Sequence, residues 1–110
     1  MKNYYGHPYF YRLLDKMRDI HSSKNHDYAG EDDPLRNFRM CEVMGIPAWK
    51  GVLVRISDKF SRLCAFARQE TLKVSDENIE DTLIDLANYC LICVLLYKEL
   101  KDDPVKQKLQ

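Results

Sequence analysis

The chain lacks a surplus of charge of either sign: 17 Lys and Arg face 17 Asp and Glu across 110 residues. A general nucleic-acid binder follows the phosphate backbone with basic excess, so that class is not favoured. Glycine and proline are scarce, at 4 each, which excludes collagen-like, Gly-rich linker and Pro-rich architectures. Long apolar runs are missing too. The best stretch, Leu86 to Tyr97, is short for a bilayer and is interrupted by Asn88. The opening residues Met1-Lys2-Asn3-Tyr4-Tyr5-Gly6-His7-Pro8 hold no apolar signal-peptide core. The expectation is a cytoplasmic protein with no membrane partner, whose 4 cysteines stay reduced.

What is present is helical periodicity, with no convincing strand pattern. Pro8 suits a first helical turn, and Phe10, Leu13, Leu14, Met17 and Ile20 recur at helical spacing up to about His21. The stretch Ser22 to Asp33 reads as a polar turn. A short helix from Pro34 to Met44 carries Leu35, Phe38, Met40 and Cys41, with Gly45 as its C-terminal cap. Pro47 opens a third helix with Leu53, Ile56, Phe60, Leu63 and Ala67 on one face, and Gly51 is a mild weakness inside it. After a connector from Glu70 to Val74, Ser75 or Asp76 caps the last helix. There Ile79, Leu83, Leu86, Cys90, Cys93, Tyr97 and Leu100 alternate three and four apart as a bundle seam, and Pro104 ends the helix. The fold expectation is all-α. Residues 1–110 form a single domain, a compact helical bundle of about four helices with a long C-terminal helical hairpin and a frayed tail over 101–110.

If the last two helices pair antiparallel about a turn near Leu72, Arg62 lies level with Asp81, Lys59 with Asp85, and Arg55 with Asn88 or Tyr89. One stripe is basic; the other is acidic with an amide. Interhelical salt bridges are the plain reading, and the helix dipole accounts for Glu80 and Asp81. Neither accounts for Asp85, past the first turns, nor for Asn88, set among apolar neighbours where an amide needs partners. Asp81 and Asp85, four apart, can present oxygens to Mg²⁺ together with Glu77. Arg55, Lys59 and Arg62 suit phosphate. A third candidate is the stretch Lys24-Asn25-His26-Asp27-Tyr28-Ala29-Gly30, which can stack a base and hydrogen-bond a sugar or phosphate. Alternatives are ordinary loop, salt-bridge or buried-network roles. Cys90 and Cys93 read as core, not as a redox pair, and the aromatic N-terminus and Trp49 read as packing and subunit contacts.

Lys24-Asn25-His26-Asp27-Tyr28, Arg55-Ile56-Ser57-Asp58-Lys59-Phe60-Ser61-Arg62-Leu63 and Val74 through Tyr89 resemble the nucleotide modification associated domain 1 family of bacteria and phages. The resemblance implies a small helical protein tied to nucleotide or modified-base metabolism. A looser similarity runs to MazG-like all-α nucleoside-triphosphate pyrophosphohydrolases, which hold Mg²⁺ with acids on two adjacent helices. The chain departs from that pattern, because its third helix offers Arg55, Asp58, Lys59 and Arg62 where acids are needed. The reading is therefore a homo-oligomer that binds a nucleotide-type small molecule, with Lys24, Asp27, Tyr28, Arg55, Lys59, Arg62, Asp85 and Asn88 as ligand-binding residues. If there is chemistry, it is Mg²⁺-dependent phosphoanhydride hydrolysis with Asp81 and Asp85 on the metal. The alternatives are a non-enzymatic sequestering protein for a nucleotide signal and a structural adaptor.

Overall fold

The computed structural model describes residues 4–28, 33–69 and 79–103. Helix α1 is Pro8–Tyr28, α2 is Ala48–Gln69 and α3 is Ile79–Asp102, with two 3₁₀ turns, Arg36–Phe38 and Met40–Met44, between α1 and α2. No strand occurs among the described residues. The chain divides into two units, residues 1–34 and 35–110.

In the first unit the entry to α1 is set by its neighbours in sequence. The Tyr9 amide donates to His7 Nδ1 at 3.0 Å, which satisfies one of the amide donors left free at a helix start. The Gly6 amide donates to the Tyr11 hydroxyl at 2.9 Å, and the Tyr4 ring stands 5.0 Å from that of Tyr11. The helix runs seven residues past His21, the expected end. No glycine or proline interrupts residues 9–28, and Asn25 meets His21 one turn back at 3.0 Å. Polar residues without a breaker continue a helix that already has its nucleus. The segment expected as a loop is thus the last turns of α1 as far as Tyr28.

The second unit is built on the α2–α3 hairpin. Leu35, Phe38, Ala48, Val52, Ile92 and Leu96 form its core, with Trp49, Ile56, Tyr89 and Cys93 packed around them. The segment before α2 is not an α-helix. Its inward residues Leu35, Phe38 and Cys41 recur every third position, the period at which a 3₁₀ turn stacks side chains along one edge. Met40, Val43 and Met44 point outward and are exposed. Gly45 ends it with φ 77°; its amide and that of Ile46 close back on Glu42 and Cys41, the left-handed cap expected there. Pro47 then accepts from the amides of Lys50 and Gly51, opening α2.

Gly51 has a positive role. A β-carbon there would lie 2.6 Å from Cys41 Sγ, so its absence lets the 3₁₀ segment seat against α2.

Both hairpin helices bury a line that only partly overlaps the one expected, with Ile56 and Leu63 of α2 and Cys93 and Leu100 of α3 shared. On α2 the inward residues are Ala48, Val52, Ile56, Lys59 and Leu63, while Leu53, Phe60 and Ala67 are exposed. On α3 the inward line is Asp85, Tyr89, Ile92, Leu96 and Leu100; Leu83, Cys90 and Tyr97 face out. Because α3 is apolar nearly all round, hydrophobic spacing allows more than one seam. Meeting Lys59 requires the line that carries Asp85. The caps expected at Ser75 or Asp76 and the turn near Leu72 lie outside the described residues, as does the tail from residue 104.

Candidate functional site

The two charged stripes meet across the hairpin at one pair, Lys59 and Asp85. Lys59 Nζ donates to Asp85 Oδ2 at 3.2 Å, the pairing expected from equal distance to the turn. The side chains keep 20% and 23% of their exposure, so the pair is held at the edge of the core and not sealed within it. Two charges in such surroundings attract more strongly than on an open surface, and each depends on the other for compensation.

One turn along on α2 from Lys59, the Arg55 guanidinium stacks over the Phe38 ring at 4.8 Å. Phe38 in turn meets the Tyr89 ring edge-on at 6.3 Å and 82°. Arg55 therefore reaches the level of Tyr89 through an intervening ring that comes from the 3₁₀ segment. A guanidinium on an aromatic face keeps its N–H donors at the rim free to bond other groups.

Asn88 lies one turn from Asp85 on α3. Its Nδ2 is buried and has no hydrogen-bond partner among the described residues. Asn37 Oδ1, beside Phe38 in sequence, and Trp49 Nε1 share that condition. Each such atom carries a desolvation cost of about 1–3 kcal/mol. Arg62 and Asp81 are exposed on their helices. Among the described residues no three or more of His, Cys, Asp and Glu converge as a metal site. Asp85 is engaged by Lys59, and Glu77 lies outside the described residues. Lys24 is exposed near the end of α1; the side chains of Asp27 and Tyr28 lie outside the described residues.

The sequence reading missed the contact that ties the 3₁₀ segment to the hairpin. Arg39 grips Glu99 with both nitrogens, Nη1 to Oε2 at 2.7 Å and Nη2 to Oε1 at 3.1 Å. The fork geometry matches a carboxylate and fixes orientation as well as distance. Sixty residues separate the partners, and no local pattern signals the pair. Arg39 and Glu99 border a recess with Glu42, Trp49 and Leu96.

Fold and site define an all-α protein whose long helical hairpin is cross-linked by a lysine–aspartate pair and flanked by a ring-stacked arginine and a buried amide. Residues 47–96, which run from Pro47 through α2 to Leu96 of α3, match the family model of nucleotide modification associated domain 1. The resemblance read from the second and third sequence stretches is borne out over this segment, which is similar to that family, described as nucleotide modification associated. No curated protein and no solved structure matches the chain. No described helix is long and apolar enough to cross a membrane.

Proposed function

We propose that the α2–α3 hairpin binds a nucleotide-type ligand on the face carrying Arg55, Lys59, Asp85 and Asn88. The observation that carries this reading is the buried Asn88 Nδ2, an unpaired donor one turn from a charged pair in a stretch, Leu86 to Tyr97, that is otherwise apolar. A base carbonyl or sugar oxygen would satisfy it. Arg55, stacked on Phe38, and Arg62 supply cations for phosphate, and Lys59 joins them by turning from Asp85. The family description, nucleotide modification, supports the ligand class.

The direct contact between Lys59 and Asp85 favours a second reading, in which these charges only clasp the hairpin and the protein acts as an adaptor. One experiment separates the two. Nucleoside mono-, di- and triphosphates and cyclic dinucleotides are screened by thermal shift, with and without Mg²⁺, while pyrophosphate release is followed. Binding predicts a higher melting temperature with at least one nucleotide, lost in Arg55→Ala and Asn88→Leu. Turnover that needs Mg²⁺ and vanishes in Asp81→Asn would add hydrolysis. A melting temperature unmoved by every ligand refutes nucleotide binding and leaves the clasp.

A further inference from the structure

The outward face of α3 is an apolar surface that the hairpin core leaves unused. Leu83, Leu91, Val94, Leu95 and Tyr97 are 44% to 62% exposed, and Cys90 is exposed between them. Leu83, Ala87, Cys90, Val94 and Tyr97 are spaced four, three, four and three apart. That alternation is the spacing at which a helix packs against another helix with a shallow left-handed twist.

The stripe is also nearly symmetric about Cys90. Leu83 and Tyr97 each stand seven residues from it, and Ala87 and Val94 stand three and four away. Charges continue the symmetry with reversed sign: exposed Glu80 lies ten residues before Cys90 and exposed Lys98 eight after. The eighteen residues between Glu80 and Lys98 are five whole helical turns, so the two side chains leave the helix on the same side.

We infer that this face is the interface of a homodimer, formed by two α3 helices packed antiparallel across a two-fold axis at Cys90. In that register Leu83 of each copy packs on Tyr97 of the other, and the small Ala87 faces Val94 and Leu91. Glu80 comes level with Lys98 of the second copy on the same flank. A parallel two-fold pair would put like residues at one height on opposite flanks and form no Glu80–Lys98 pair, so the charge order favours the antiparallel one. A surface that is its own complement about one point is what a two-fold interface requires. The five apolar side chains of the stripe are each about half exposed, and a contiguous apolar face of this kind marks a contact surface. The second copy lies on the side of α3 opposite the line of Asp85, Tyr89, Ile92 and Leu96, and the Lys59–Asp85 pair is not part of the contact.

Sedimentation equilibrium of the whole chain under reducing conditions, over a thousandfold concentration range, tests this. The expected result is a monomer–dimer equilibrium that Val94→Glu abolishes while circular dichroism stays helical. Glu80→Lys and Lys98→Glu should each weaken the dimer several-fold, and the two together should restore it. Mild oxidation should yield a dimer whose disulfide maps to Cys90 of both copies. A wild-type chain that stays monomeric, or a dimer indifferent to Val94→Glu, overturns the interface and leaves the stripe to a partner of another kind. A dimer that the double reversal fails to restore, or that never cross-links through Cys90, overturns the antiparallel register.

Discussion

Replacing Gly51 by alanine sets helix propensity against packing, and the structure decides between them. In an open helix the change stabilises by up to about 1 kcal/mol, because glycine loses more backbone entropy on folding. Here the new methyl meets Cys41 Sγ at 2.6 Å, closer than carbon and sulfur can approach. The thiol cannot swing away without giving up its contacts to the carbonyls of Phe38 and Pro47 at 3.8 and 3.9 Å. Overpacking of this size costs about 1–3 kcal/mol, so Gly51→Ala alone should be neutral or destabilising by up to about 2 kcal/mol. With Cys41→Ala the sulfur is gone and the nearest atom becomes the residue 41 β-carbon at 3.5 Å, an ordinary contact. Gly51→Ala should then stabilise in that background. Urea unfolding of the four proteins of the cycle, followed by far-UV circular dichroism and by the single tryptophan, gives the coupling, expected at about 1–3 kcal/mol. If Gly51→Ala has the same effect with and without the thiol, the argument that glycine is there to seat the 3₁₀ segment is wrong.

Three further outcomes follow from the same contacts. Asp85→Leu or Lys59→Met alone should destabilise by about 1–3 kcal/mol, since each leaves a half-buried charge uncompensated, and the double replacement should recover most of the loss in urea titrations; equal additive losses would deny the pair its coupling. Val52→Ala should cost about 1–3 kcal/mol in the same assay, because Val52 is 1% exposed at the centre of the core; a smaller effect would mean that the core is loosely packed there. Burial, with a smaller contribution from Cys90 nearby, pushes the Cys93 thiol above its ordinary range. Its folded form holds the proton to higher pH than its unfolded form, so the stability it contributes is present below the unfolded value and is lost as pH rises through the folded one. In iodoacetamide labelling at pH 8, mapped by mass spectrometry, exposed Cys90 should react well before Cys93, with the gap closing in urea; equal rates in the native protein would contradict the burial of Cys93.

Local sequence carried much of the architecture. Pro8 and Pro47 mark helix starts because a fixed φ and a missing N–H fit the first turn. Gly45 marks a stop because only a residue without a β-carbon takes φ 77° at no cost. The pairing of Lys59 with Asp85 was legible from equal distances to a turn. The short segment before α2 was legible as helical but not as 3₁₀, since its three-residue period differs little from a helical one over two turns. The end of α1 is not legible in the polar run after His21, because none of those residues breaks a helix and α1 continues to Tyr28.

Residue order alone thus determined where α1 and α2 begin, that a hairpin of two long helices follows, and that Lys59 comes level with Asp85 across it. These follow from backbone dihedral limits and from periodicity, which act over a few residues. Which face of α3 turns inward was decided only in the tertiary structure, because a helix with apolar residues on more than one side has no preferred side until a partner selects one. The Arg39–Glu99 fork, the ring between Arg55 and Tyr89, and the thiol against Gly51 were decided there as well. Each joins residues far apart in the chain, and their meeting depends on how the 3₁₀ segment lies along the hairpin.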